Sequence, residues 1–264
     1  MRRSRWLPAL GLLLAFGGCA PVHPVADDDL SKRWNASWSA GVAAYQQGRY
    51  SEGEPLLLSA LKDAEQLKPR DWRLAVTLND LGTLYLDWQR YDKAQKHLER
   101  ARTVWETVAG PIHAGTATTL NNLGELYRRQ RQYAEAEPLL DRALVIRVRV
   151  LGPDHLDVGV TCNNLGQLYD YQNQDFLAEE LYRRALAIFE KASGPDSRWV
   201  GFALNNLGAL YTLQGKYAEA EPLLRRALAV REKALGPYHP DVAASRQNLQ
   251  FLLGLERDLQ RKSR

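Results

Sequence analysis

From residue 74 to residue 250, apolar side chains recur at spacings of three and four, the pattern of helices buried on one face. One such stripe is Thr118, Leu120, Leu123, Leu126 and Tyr127; a second follows as Tyr133, Ala136, Leu139, Leu140, Ala143 and Leu144. The short polar stretch Gln130-Arg131-Gln132 separates them, so the pair reads as two antiparallel helices joined by a tight turn. Leu151-Gly152-Pro153-Asp154 and Leu235-Gly236-Pro237 then close the second stripe of their units, because glycine permits a helix stop and proline cannot continue one. The pattern repeats. Leu81, Leu123, Leu165, Leu207 and Leu249 stand 42 positions apart, each inside a copy of one phrase. That phrase is Leu120-Asn121-Asn122-Leu123-Gly124-Glu125-Leu126-Tyr127, with versions at 78–85, 162–169 and 204–211 and a remnant at 246–250. A fixed period of this size predicts stacked supersecondary units, each burying its apolar face on its neighbours.

Leu123-Gly124-x-x-Tyr127, followed by Ala136 and Ala143, resembles the tetratricopeptide repeat, with Leu120 in the usual tryptophan position. The common period of that family is about 34, whereas the longer second stripe here is similar to the repeats of kinesin light chains, including the Asn-Asn and Gly-Pro-x-His segments. HEAT and armadillo arrays have comparable periods but lack Leu-Gly-x-x-Tyr. The resemblance implies an all-α fold, a right-handed α-solenoid of antiparallel helix pairs with a C-terminal capping helix. The units fall near residues 34–73, 74–115, 116–157, 158–199 and 200–239, with the cap at 240–258 and a basic tail at 259–264. The first unit is worn: Gly41, Gly48, Tyr50, Leu57 and Ala60 align with Gly82, Gln89, Tyr91, Leu98 and Ala101, and Trp34 and Trp38 are expected to close its open end. Asp175 stands where Tyr133 and Tyr217 stand, which predicts a locally altered helix start there.

In tetratricopeptide arrays the first helix of each unit lines a concave groove that takes peptides or partner proteins. Matching positions here hold Asn79, Asn121, Asn163 and Asn205, with Asn122, Asn164 and Asn206 next in the chain and Glu125, Arg128, Gln167 and Asp170 beside them. Asparagine is a poor helix former, so its retention in mid-helix requires a reason. An amide both donates and accepts, which suits it to reading the backbone of an extended peptide. The same amides could instead bond between neighbouring first helices and fix the stacking. The family's basic clamp for a terminal carboxylate is not evident, since only Arg128 and Arg129 could contribute.

Charge and composition narrow the remaining classes. Three of the four excess positive charges are Arg2, Arg3 and Arg5, which leaves no basic footprint for nucleic acid. Those arginines, the apolar run from Leu7 to Phe16 and the small Gly17-Gly18 predict a secretory signal over residues 1–18. Phe16-Gly17-Gly18-Cys19 resembles the lipobox of bacterial lipoproteins, with phenylalanine where leucine is usual. That resemblance implies acylation at Cys19, a tether over residues 19–33 and, with Ala20 after the cysteine, a lipid-anchored place in the outer membrane facing the periplasm. The only other cysteine, Cys162, replaces a stripe leucine and is expected to be a small core residue. His113, His155 and His239 share one place in successive inter-unit turns, too far apart for a common metal and well placed to satisfy helix starts. No catalytic or metal-binding constellation stands out, so a non-catalytic scaffold for a protein or peptide is expected, with no cofactor and no small-molecule substrate. An assembly factor of an envelope or secretion machine, using its convex or edge surface, is the alternative.

Overall fold

The computed structural model describes residues 29–67 and 71–262. Among these residues there are eleven helices and no strand: α1 (Asp29–Gln46), α2 (Tyr50–Ala64), α3 (Trp72–Asp87), α4 (Tyr91–Val108), α5 (Ala114–Arg129), α6 (Tyr133–Leu151), α7 (Leu156–Tyr171), α8 (Asp175–Ser193), α9 (Arg198–Leu213), α10 (Tyr217–Leu235) and α11 (Pro240–Lys262). Helices α1–α6 belong to one compact unit ending at Gly152, and α7–α11 to a second beginning at Pro153. Within each unit every odd-numbered helix before α11 packs most extensively on the even-numbered helix that follows it, and that helix packs on the next odd one. The signal peptide, Cys19 and Ala20 lie outside the described residues. No described helix is long and apolar enough to cross a membrane.

The two helix types start differently. From α3 onward, first-type helices carry a side-chain N-cap that accepts an otherwise orphaned backbone N–H. Asp71 accepts from Arg73 N at 2.9 Å and Ser197 from Val200 N at 3.4 Å. His113, His155 and His239 do the same through Nδ1, from Gly115, Asp157 and Asp241 at 3.1, 3.2 and 3.2 Å. The histidine column is therefore a set of helix caps. Second-type helices have no such cap and start from the backbone of the preceding turn. A left-handed residue sits in each of those turns, at Gly48, Gln89, Arg131, Asn173 and Gly215. The next residue then returns its N–H to the first helix, as in Gln132 N to Tyr127 O and Gln174 N to Tyr169 O, both 2.8 Å.

This backbone device corrects one expectation. Gln174 before α8 has φ −94° and ψ 63°, matching Arg90 (−93°, 65°) and Lys216 (−84°, 62°), so the helix start at Asp175 is regular. The turn, not the aromatic side chain, sets the start; losing that aromatic leaves Phe176 75% exposed. Two boundaries also move outward. Helix α1 begins at Asp29 rather than 34, because Ser31 is buried and accepts from Arg73 Nη1 at 2.6 Å, drawing the end of the expected tether into the fold. Helix α11 runs on to Lys262, through most of the expected basic tail.

Close approach within a pair depends on the glycine of the repeated phrase. A Cβ placed on Gly124 would lie 2.5 Å from Leu140 Cγ, and one on Gly82 equally close to Leu98 Cγ. The α8 and α10 pairs use Gly166 against Tyr182 and Gly208 against Leu224 in the same way. Cys162 is fully buried, as expected of a stripe residue. Trp34 and Trp38 stack at 5.3 Å, but they do not close a free end. Trp34 is buried against Ala60 and Ala64 with Trp72 and Leu74 nearby, and its Nε1 donates to Thr77 Oγ1 at 2.9 Å. The tryptophans tie α1 to α3.

Candidate partner-binding face

Most of the mid-helix asparagines lie beneath the surface. Asn79, Asn121, Asn122, Asn163, Asn164 and Asn205 are all buried, and only Asn206 is half-buried. The amides of Asn79, Asn122, Asn163, Asn205 and Asn206, with that of Asn248, join adjacent first helices in a fixed direction, each donor lying 43 residues beyond its acceptor. Asn122 Nδ2 donates to Asn79 Oδ1 at 3.1 Å, Asn206 Nδ2 to Asn163 Oδ1 at 2.9 Å, and Asn248 Nδ2 to Asn205 Oδ1 at 3.1 Å. Hydroxyls brace the same acceptors: Thr119 Oγ1 to Asn79 at 3.2 Å and Ser245 Oγ to Asn205 at 3.1 Å. Buried amide groups satisfied in this way specify register between helices. Stacking is the role that the geometry gives the buried asparagines. As groove contacts for a peptide they are too deep, which corrects that part of the candidate site.

The polar groups nearer the surface form a second system. In the unit α1–α6, Glu125 accepts from Arg128 through both oxygens, at 2.7 Å from Nε and 2.6 Å from Nη2, and from Arg129 Nε at 2.7 Å. Arg129 also meets Asp87 Oδ1 at 3.1 Å and donates to Leu86 O at 3.2 Å, while Tyr45 OH donates to Asp87 Oδ2 at 2.6 Å. The chain Tyr45–Asp87–Arg129–Glu125–Arg128 thus links α1, α3 and α5. Burial opposes ionisation of Glu125, but the two guanidiniums outweigh it and hold its pKa at about 2. Asp87 goes the other way: burial raises its pKa, and Arg129 and Tyr45 offset this only in part. Glu125 and Arg129 each keep 14% of the side chain exposed, whereas Arg128 keeps 4%. In the unit α7–α11, Gln167 and Asp170 are half-buried on α7. Asp87 and Tyr45 were not singled out from sequence, and Arg129 was named only as a residue able to contribute to a carboxylate clamp. Part of the signal was present, since Asp87 and Arg129 share one column 42 residues apart, but residue type changes along it, and in the worn first unit Tyr45 aligns with Leu86 rather than with Asp87.

Among the described residues no group of three His, Cys, Asp or Glu side chains could hold a metal ion. Models of the tetratricopeptide repeat match residues 35–107, 115–191, 176–233 and 199–250, and a second such model matches 79–150. The chain belongs to the tetratricopeptide repeat family. Solved structures are similar to it. BtubC (BKLC) from P. vanneervenii shares 26% identity at a TM-score of 0.62, over 81% of this chain and 95% of its own. A kinesin light chain protein of Podosopora anserina with nearly identical TPR-like repeats shares 20% identity at 0.62, over 78% and 98%. A Rap protein complexed with competence and sporulation factor shares 15% identity at 0.67, over 89% and 70%. No curated protein sequence matches the chain. The tetratricopeptide assignment explains why the buried glycine, alanine and leucine positions recur while the surface of the first helices varies.

Proposed function

We propose that this tetratricopeptide protein is a non-catalytic scaffold that holds a peptide or partner protein on the outward face of its first-type helices. The observation that carries this reading is the division of polar groups on those helices. The buried asparagines are spent on stacking, while Glu125 and Arg129 in the unit α1–α6, and Gln167, Asp170 and Asn206 in the unit α7–α11, lie nearer the surface. Tetratricopeptide repeats are interaction modules, and a Rap protein of this fold is complexed with competence and sporulation factor. The test is capture of partners from cell-envelope extract by the wild-type chain and by Gln167→Ala/Asp170→Ala, two half-buried positions whose truncation leaves the amide ladder intact. A partner lost with a folded double variant supports the reading; one retained at wild-type yield on every first-helix variant sinks it.

The same proposal places the protein in the bacterial envelope, anchored by a lipid on Cys19, in the outer membrane facing the periplasm. It rests on the sequence of residues 1–20 alone. Mass spectrometry of the mature N-terminus tests it: a lipid-modified cysteine at position 19 is expected, and an intact Met1 or an unmodified cleavage product would contradict it. The alternative role, as an assembly factor using an edge surface, draws on the exposed Phe176, Leu177 and Tyr238 in the unit α7–α11. Loss of a partner on Phe176→Ser, with retention on Gln167→Ala/Asp170→Ala, would favour it.

A further inference from the structure

The amide ladder changes chemistry at one rung. Where later rungs have an asparagine donor and an asparagine acceptor, the rung between α1 and α3 has Trp38 and Asp80. Asp80 occupies the place held by Asn122, Asn164, Asn206 and Asn248. Because an indole can only donate, the direction reverses: Trp38 Nε1 gives its hydrogen to Asp80 Oδ2 at 2.7 Å. Asp80 is buried, and besides Trp38 its bonding partner is the side chain of Asn79 on its own helix. Both are neutral.

Among the described residues no cation on the surrounding helices offsets a charge there. On α3, Arg73 is committed to Asp71 and to Ser31. From α5, Arg129 is committed to Glu125 and Asp87. From α2, Glu54 accepts from Tyr85 and Lys93, and from α1, Tyr45 donates to Asp87. His97 on α4 lies against Tyr85, bonded to the carbonyl of Lys93. An ionised Asp80 is therefore a buried carboxylate held by neutral groups, whereas a protonated one presents a donor and an acceptor, as the asparagine amide does on the other rungs.

We propose that Asp80 makes the first helix pair a pH-dependent element, docked most firmly on α3 when this carboxyl is protonated and loosened as it ionises. Burial, opposed only in part by the bonds from Trp38 and Asn79, pushes the pKa of Asp80 up from 3.8 to about 7. When the pair opens, the group returns to the ordinary carboxylate range, so docking takes up a proton between those limits. Docking strength is full below about pH 4, declines as pH rises towards 7, and is level at its weakest above 7.

The experiment is amide hydrogen exchange of the full chain from pH 5 to 8.5, corrected for intrinsic exchange rates, on wild type, Asp80→Asn and His97→Gln. Protection of α1 amides in wild type should fall about tenfold per pH unit between 5 and 7 and then level off. Asp80→Asn keeps an acceptor for Trp38 and should lose most of this fall, leaving the contribution of Asp87, whose carboxyl is also raised by burial and is bonded by Tyr45 of α1. His97→Gln should keep the wild-type profile. A level wild-type profile, an undiminished fall in Asp80→Asn, or an equal fall in α5 would overturn the proposal. Should Asp80→Asn not fold, the carboxyl ¹³C shift of Asp80 in wild type decides: a midpoint near 7 supports the proposal, and one below 5 refutes it.

Discussion

Asn205 provides the sharpest measure of whether the asparagines act in stacking. Its Oδ1 receives Asn248 Nδ2 and Ser245 Oγ, each at 3.1 Å, and these bonds hold α11 to α9. In Asn205→Ala both bonds vanish. Ser245 still accepts from Arg231 Nη1 at 2.6 Å, but the buried amide of Asn248 loses its ladder acceptor. Two hydrogen bonds at about 1 kcal/mol each, plus about 1–2 kcal/mol for a donor left buried, sum to about 3–4 kcal/mol. Alanine returns about 0.5 kcal/mol through its better helix propensity. The expected net loss is about 3 kcal/mol, felt first in α11.

The assay is the opening free energy of α11 amides by hydrogen exchange, with urea unfolding as the global measure. Asn206→Ala is the matched control: one position along and half-buried, it loses a single bond to Asn163 and should cost about 1 kcal/mol. A double-mutant cycle between Asn205 and Asn248 should give a coupling of about 1 kcal/mol or more. If Asn205→Ala stays within about 0.5 kcal/mol of wild type, or costs no more than Asn206→Ala, the ladder does not hold the helices together.

Other substitutions test the remaining devices. Gly124→Ala should destabilise by about 2–3 kcal/mol in urea melts, because its Cβ would meet Leu140 Cγ at 2.5 Å and the backbone O of Ala136 at 3.3 Å. Glu125→Gln should cost about 3 kcal/mol at pH 7, since the pKa of Glu125 is depressed from 4.5 to about 2. That stabilisation is present above the ordinary pKa and lost as pH falls through the folded one, so the two proteins should converge between pH 4.5 and 2; a constant gap across that window would refute the pairing. Arg131 sits at φ 63°, where Gly215 serves in a later repeat, and Arg131→Gly should raise stability by about 0.5–1 kcal/mol. Gly194, with φ 80° and ψ 162°, lies where side chains are strained, and Gly194→Ala should cost about 1–3 kcal/mol in thermal or urea unfolding.

The helices and their pairing were legible because their causes are local. Apolar spacing, the Leu-Gly-x-x-Tyr phrase and the Gly-Pro stops all act within a few dozen residues. The ladder was visible as a column of asparagines, but not as buried, because burial depends on how closely Asn79 and Asn122 approach across two helices. The Tyr45–Asp87–Arg129 chain hid for the opposite reason: its members differ in type, and only their spacing in the stack brings phenol, carboxylate and guanidinium together. The misjudged start of α8 shows the same limit. Its sequence signal was a side chain, whereas the helix start is set by a left-handed turn residue, Asn173, and by one backbone bond to Tyr169.

The ends of the array show why some positions persist and others change. Along α11, Asn248, Leu249 and Leu252 are buried at positions matching Asn206, Leu207 and Leu210. The glycine that comes next in the phrase, Gly208 in α9, is replaced by an exposed Gln250. Gly208 is needed because its own second helix, α10, brings Leu224 within 2.8 Å of where a Cβ would stand. No described helix follows α11, so nothing at position 250 requires a missing side chain. Asn248 faces back to Asn205 and still has a partner. At the other end the first rung is Trp38 and Asp80, where an indole that only donates meets a carboxyl that accepts. A residue in this chain is thus retained or released according to which neighbour it faces. The same rule predicts that Gln250→Gly, unlike any change at Asn248, leaves the docking of α11 untouched apart from about 1 kcal/mol of helix propensity.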